Sequence, residues 1–262
     1  MTSPGYAQID GFMRDGVALV RGLLDRRLLE LARAGVDEVL ANPSPLAIVA
    51  SRPDEPVFFE DFCNWERIPE IGRVATHPHI AAVATAMMRS TTVRLYHDHV
   101  LVKEIGSSQR TPWHQDQPYY DVEGAQNISF WIALDGVPIS ASLECVRGSH
   151  RGPWLMPRTF LDREARWFPE GSLDEIPDYA PGDPRIARYA LEAGDAIAFH
   201  FLTVHGAPGT TARRRVLSLR YLGDDARHAR RAWRTSPPFD DVAAQLPPGA
   251  AMDHPRFPLL DT

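Results

Sequence analysis

A chain of 262 residues, 44% hydrophobic and 24% charged, carries enough apolar material for one large buried core and lacks the composition of a disordered or fibrous protein. Its net charge of −6, with 28 Lys+Arg and 34 Asp+Glu interspersed, offers no basic face for nucleic acid or an anionic membrane surface. Two cysteines, Cys63 and Cys145, are too few for a disulfide framework, Met1 to Asp10 lack a secretory signal pattern, and no apolar run approaches the ~20 residues of a membrane span, so the expectation is a soluble, cytoplasmic protein.

In chain order, the first clear element is a helix after Asp25. Leu28, Leu31, Ala32, Val36, Val39 and Leu40 recur at helical spacing, Asp25 is a suitable N-cap, and Asn42-Pro43 is the stop. A proline-rich loop follows to Pro56. Ile80, Val83, Ala84, Met87 and Met88 share one face and predict a second helix over His79–Met88. The texture then changes to β-branched and aromatic residues. Thr91–Lys103, Asn127–Leu134, Ala187–Leu191, Ala196–Phe201 and Val216–Leu222 read as strands separated by Gly, Pro, Ser and Asp clusters. Helices first and strands afterwards predict an α+β, mainly β protein, with helices packed on an antiparallel sheet or barrel. Pro153–Pro184 reads as a long loop, with Trp154, Trp167 and Phe168 able to line a cavity. The proline-rich tail from Arg234 reads as a surface wrap.

The sharpest local signal is Trp113-His114-Gln115-Asp116. In an extended segment His114 and Asp116 point to the same side, because side chains alternate with a period of two. An imidazole nitrogen and a carboxylate oxygen presented together can grip one divalent ion. Ferrous oxygenases need a third ligand on the same face and leave the remaining positions open. His205, about 90 residues on, is the best candidate, at the far end of the strand launched by Gly194-Asp195 and beside Gly206-Ala207-Pro208-Gly209. An isolated His-x-Asp triplet also occurs as a simple hydrogen-bonded pair. His97, His99, His150 and His200 compete, with His97 and His99 read as structural or supporting residues.

The chain resembles the phytanoyl-CoA dioxygenase family of Fe(II)/2-oxoglutarate oxygenases. The resemblance rests on stretches in order: Asp10-Gly11-Phe12 through Arg21-Gly22-Leu23, Val102-Lys103-Glu104, Trp113 to Tyr119, Trp131 to Asp135, Leu143 to His150, and Gly194-Asp195 through His205-Gly206 into Arg213-Arg214-Arg215. It implies a double-stranded β-helix (jelly-roll, cupin-like) core with flanking N-terminal helices. One oxygenase domain then spans 1–262, with a helical part to about residue 90, a core to about 225 and the tail beyond.

By resemblance, Fe(II) sits on His114, Asp116 and His205, and Arg214 pairs with the far carboxylate of 2-oxoglutarate, where a planar guanidinium suits a bidentate carboxylate better than lysine does. Strand alternation turns Arg214, Ser218 and Arg220 the same way, so Arg220 rivals Arg214 and Ser218 could offer a hydroxyl. Trp131 matches a tryptophan beside the co-substrate, and Gln115 could reach a co-substrate oxygen through its amide. The chain departs from the family's pattern at Ser140-Ala141 and Arg147, beside a turn. The implied reaction hydroxylates a C–H bond of a small organic, natural-product or lipid-like substrate. O2 is co-substrate, ascorbate an activator in vitro, and succinate and CO2 the co-products. The carboxylate of Asp116 disfavours halogenation, for which related enzymes carry a small residue there. Two other readings stay open: a cupin-like metal enzyme without 2-oxoglutarate, and a non-catalytic binding barrel. The oligomeric state is left open.

Overall fold

The computed structural model describes residues 4–156, 173–180 and 182–262. In chain order the elements are α1 (Tyr6–Asp15), β1 (Val17–Val20), α2 (Arg26–Ala41), β2 (Ile48–Val49), β3 (Phe58–Phe62), α3 (Pro69–Ala75), α4 (Pro78–Met88), β4 (Arg94–Lys103), β5 (Thr111–His114), β6 (Val122–Glu123), β7 (Asn127–Ala133), β8 (Glu144–Val146), β9 (Ile186–Ala187), β10 (Ala196–Phe199), β11 (His205–Ala207), β12 (Arg214–Leu222), β13 (Arg227–His228) and α5 (Asp240–Gln245).

Two antiparallel sheets build the core. One has seven strands in the order β1-β10-β7-β12-β4-β3-β2, the other four in the order β5-β11-β8-β9. Alternation along the strands divides the hydrophobic residues between two clusters. Ile128, Phe130 and Ile132 of β7, Leu217, Leu219 and Tyr221 of β12, and Ala196 and Ala198 of β10 face the helices, against Ala32, Val36 and Val39 of α2 and Ile80, Ala84 and Met87 of α4. Trp131, Ala133, Val216, Ile197 and Phe199 face the other way and meet Leu143, Cys145, Ala187 and Ala207 of the second sheet and its flanks. β7 is buried along its whole length because both of its faces are covered. Helices stacked outside two facing antiparallel sheets are the α+β jelly-roll layout that the sequence implies.

The helix after Asp25 forms as its spacing predicts. The Asp25 carboxylate accepts from the Leu28 amide at 2.9 Å, and Leu28, Ala32, Val36 and Val39 are buried. The part before residue 90 is less purely helical than expected. β1, β2 and β3 lie within it and occupy both edges of the larger sheet. They are short, and a run of four or five residues gives alternation little to act on. The tail also differs from a surface wrap. Phe239, Val242, Met252 and Phe257 are buried against Tyr96, Tyr120 and Phe201. The expected strand over Ala187–Leu191 shrinks to β9 and a single bridge between Leu191 and Val137.

Gly16 ties α1 to the core. It closes the helix in the left-handed region at φ 70°, its amide donates to Phe12 O at 2.7 Å, and its carbonyl accepts from the His200 amide and the Thr203 hydroxyl. A Cβ there would press on the His150 ring and lie 2.6 Å from Thr203 Oγ1. Backbone strain and overpacking add, so Gly16→Ala should cost about 2–4 kcal/mol. A melt read by circular dichroism should show Tm lowered by roughly 5–15 °C; an unchanged Tm would disprove the role.

Candidate metal centre

His114 and His205 are direct partners across β5 and β11, which brings the two imidazoles together, ring centroids 4.1 Å apart and planes tilted by 52°. Two expectations about the local backbone change here. β5 ends at His114, and Asp116 is not on a strand: at φ −76° and ψ −43° it opens a 3-10 turn, Gln117–Tyr119. Its amide donates to Phe201 O at 2.8 Å, which holds the turn against the β10–β11 connection. His205 does not end the strand that starts after Gly194. β10 stops at Phe199, the chain turns through His200 to Thr203, and His205 begins β11 in the other sheet.

The chemistry of the three side chains follows from their partners. Nδ1 of His114 contacts Pro112 O at 2.9 Å, and Nδ1 of His205 contacts Thr203 O at 2.8 Å. A carbonyl only accepts, so both Nδ1 atoms carry a proton, and it is the Nε2 atoms that turn toward Asp116. Each Nε2 lies 3.6 Å from Oδ1 of Asp116, too far for a hydrogen bond. The three ligand atoms lie within 4.8 Å of one another. Burial first, then His114, pushes the His205 imidazole down to about 3. Burial opposes ionisation of Asp116, yet Arg220 foremost, then His205 and His114, hold its carboxyl well below the usual range. Two imidazole nitrogens and a carboxylate oxygen gathered this closely suit a divalent cation, and carbonyls fixing the far ring nitrogens are the usual support for such ligands.

Oδ2 of Asp116 accepts from Arg220 Nε at 3.2 Å and from Ser129 Oγ at 3.3 Å. Arg220 is therefore spent on the carboxylate ligand. The triple-arginine run splits by alternation. Arg213 pairs outside with Glu104 and Arg215 with Asp135 and Asp37, while Arg214 is buried. The Arg214 guanidinium bonds the Ala141 carbonyl and lies 5.4 Å from the Trp131 ring, with no carboxylate partner among the described residues. Burial alone lowers it to about 10. Its cross-strand partner Lys103 is a second buried cation, with Nζ on Gln109 O at 2.5 Å and Pro208 O at 3.2 Å. Burial, then the charge of Arg214, pushes Lys103 down to about 7. Ser218 Oγ, on the same strand face, is buried without a partner among the described residues.

Gln115 does not face this space. Its amide nitrogen donates to Pro153 O at 3.1 Å and Leu202 O at 2.9 Å, and its oxygen accepts from the Leu155 amide at 2.8 Å. Both amide hydrogens and the carbonyl are consumed, so Gln115 is a strut behind the ligands, not a contact to a co-substrate. Trp154 lies under Arg231, 4.7 Å from its ring, while Trp167 and Phe168 fall outside the described residues. His97 and His99 lie on the inward face of β4, with Nδ1 of His99 3.5 Å from Arg220 Nη2. Lys103 and Glu60 were not singled out in the sequence. Their signal was a charge inside an apolar or aromatic strand, in Val100-Leu101-Val102-Lys103 and Phe58-Phe59-Glu60-Asp61-Phe62.

Solved structures share this architecture. The non-heme alpha-ketoglutarate-dependent carbocyclase SnoK from nogalamycin biosynthesis superposes with TM-score 0.77 at 24% identity, covering 98% of this chain and 96% of that one. The epimerase SnoN of the same biosynthesis gives 0.72 at 24% identity, covering 98% and 95%. At that identity the likeness establishes the fold. Among curated proteins, the peroxisomal phytanoyl-CoA dioxygenase of Rattus norvegicus is 29% identical over 129 residues, 46% of this chain and 36% of that protein's length. The profile of the phytanoyl-CoA dioxygenase (PhyH) family matches residues 12–216. Most of the sequence, including the metal triad and every strand of the two core sheets up to the start of β12, thus falls within one family, and the chain belongs to the phytanoyl-CoA dioxygenase family.

Proposed function

We propose that the chain, as one domain over 1–262, is an Fe(II)/2-oxoglutarate-dependent dioxygenase that hydroxylates a C–H bond of a small organic substrate, of natural-product or lipid-like character. The observation that carries this reading is the convergence of three ligand atoms, one from each of His114, His205 and Asp116, within 4.8 Å of one another, with the Nδ1 of each imidazole turned to a backbone carbonyl. Those three side chains would hold the iron. When bound, iron with 2-oxoglutarate and O2 supplies the oxidising power, and 2-oxoglutarate leaves as succinate and CO2.

The rest is the work of the protein. Arg214 receives the far carboxylate of 2-oxoglutarate through its planar fork, and Lys103 adds positive potential at the same end of the barrel. Trp131 packs beside that carboxylate, and Ser218 offers it a hydroxyl. Arg220 and Ser129 orient Asp116 and keep it ionised. Phe199, 4.4 Å from the His205 ring, excludes water from the inner side of the ligands. The carboxylate at residue 116 disfavours halogenation, while ring closure and epimerisation, named for SnoK and SnoN, use the same centre with another substrate placement.

The buried guanidinium of Arg214, with no acid beside it among the described residues, favours this reading over a cupin-like enzyme that needs no dicarboxylate, and the complete triad favours it over a binding barrel. Among the described residues no helix is long and apolar enough to cross a membrane. The interspersed charges argue against a nucleic-acid partner, and two unbridged cysteines fit the cytoplasm.

Succinate should accumulate when the protein is incubated with Fe(II), ascorbate, O2 and 2-oxoglutarate, and fail to do so without metal. Candidate substrates are screened by the increase they cause. No metal-dependent succinate from the wild type, or undiminished succinate from His205→Ala, would refute the assignment.

A further inference from the structure

Beside the metal triad, the inner wall of the larger sheet carries polar atoms that neither the iron ligands nor the carboxylate receptor uses. Glu60 on β3 and His99 on β4 project inward from adjacent strands and are 4% and 7% exposed. Oε1 of Glu60 and Nε2 of His99 lie 3.7 Å apart, and neither has a hydrogen-bond partner among the described residues. The tautomer of His99 follows from Arg220. A guanidinium only donates, so His99 Nδ1, 3.5 Å from Arg220 Nη2, is the acceptor and the ring proton sits on Nε2. The gap is thus bordered by one N–H donor and one carboxyl oxygen.

Two features argue against simple packing. A direct ion pair or hydrogen bond would bring the two atoms to about 2.8 Å, and leaving both unmade costs roughly 1–3 kcal/mol each. The His99 ring is also held by Phe62, stacked on it at 3.9 Å and 21°, which fixes Nε2 in place. The pair is linked to the metal ligands through Arg220, whose Nη2 lies 3.5 Å from His99 Nδ1 and whose Nε donates to Asp116 Oδ2 at 3.2 Å.

We propose that Glu60 and His99 recognise a free hydroxyl group of the substrate, whose oxygen accepts from His99 Nε2–H and whose hydrogen is donated to Glu60 Oε1. The inference rests on the oxygenase reading and narrows its substrate class to alcohols, with the hydroxyl near the carbon presented to the metal. An ether or hydrocarbon of the same shape leaves Glu60 without a donor, and a site built to bond a hydroxyl rejects analogues that lack it.

The test uses the full chain loaded with Mn(II) and 2-oxoglutarate, which is paramagnetic and does not turn over. Cyclohexanol, methoxycyclohexane and methylcyclohexane are the probes, and proton relaxation of each probe by the bound Mn(II) reports its occupancy near the metal. The wild type should bind cyclohexanol about tenfold more tightly than the ether, one buried hydrogen bond's worth. Glu60→Leu should reduce that preference to within about twofold, while Glu60→Gln, which keeps an acceptor oxygen, retains most of it. Circular dichroism checks that both variants fold, and His99→Phe gives an independent second arm with the same expected loss. Equal binding of alcohol and ether to the wild type, no alcohol-dependent relaxation because the gap holds only water, or an undiminished preference in the folded variants would overturn the proposal. Failure of 2-oxoglutarate to change the Mn(II) EPR spectrum of the wild type would instead count against the oxygenase reading.

Discussion

Asp116→Ala should abolish both metal binding and turnover and should also lower the stability of the metal-free chain by about 3–5 kcal/mol, the usual result of stripping one partner from a buried pair. The second effect comes from Arg220, buried with its Nε on Asp116 Oδ2 and with Nη1 already lacking a partner. His205→Ala removes a ligand too, but leaves no unpaired charge, so its stability loss should be smaller, about 1–2 kcal/mol from lost packing. Denaturant unfolding of chelator-treated protein measures the stabilities, and Co(II) or Fe(II) titration measures the sites. The pH dependence has a definite sign. Asp116 is held below the ordinary carboxylate range, so its contribution is complete above about pH 5 and fades as pH falls toward the depressed value. In Asp116→Ala that acid-side decline should flatten. Wild-type stability in Asp116→Ala would show that Arg220 is not balanced by this carboxylate.

The sequence displays long periodic elements well and short ones poorly. α2 is legible because a capping aspartate precedes four buried residues at helical spacing, and β7 and β12 because seven to nine residues of alternating or continuous apolar character leave no other fit. β1, β3 and β11 have three to five residues each, and their existence depends on pairing with strands remote in sequence. This is why His205 was expected at the end of a strand that actually stops six residues earlier, at Phe199. The same limit explains Asp116. Period-two alternation was the reason to group it with His114, yet the chain brings it round by a 3-10 turn. The residues were legible although their backbone was not, because ligand chemistry restricts residue type more tightly than it restricts secondary structure. Arg214 and Arg220 sit on one strand face, and only three-dimensional placement shows that Arg220 has an acid of its own while Arg214 has none among the described residues. Gln115 shows the mirror-image limit: a polar residue between two ligands looks available in the sequence, while in the fold the backbone groups of residues 153, 155 and 202 bond its amide.

Arg214→Ala should raise the KM for 2-oxoglutarate by roughly 10²–10³-fold, the loss of a buried charge-assisted pair worth about 2.7–4 kcal/mol. At saturating 2-oxoglutarate kcat should fall much less, because the interaction is present in the ground state as well as the transition state. Arg214→Lys should recover only part of the affinity, since a point charge lacks the planar fork. Arg220→Ala supplies the contrast: its main effect should fall on metal affinity through Asp116, with KM for 2-oxoglutarate nearly unchanged at saturating iron. Stability should move in the opposite direction to affinity. Without 2-oxoglutarate, Arg214 is a desolvated cation whose only described hydrogen bond goes to the Ala141 carbonyl, so Arg214→Met should leave Tm of the unliganded chain unchanged or raise it. Metal plus 2-oxoglutarate should then raise Tm of the wild type but add little for the variant beyond the effect of metal alone, because a ligand stabilises only in proportion to how well it binds. A variant that loses stability in the absence of 2-oxoglutarate, with no change in KM, would identify Arg214 as a structural cation and move the carboxylate receptor elsewhere in the barrel.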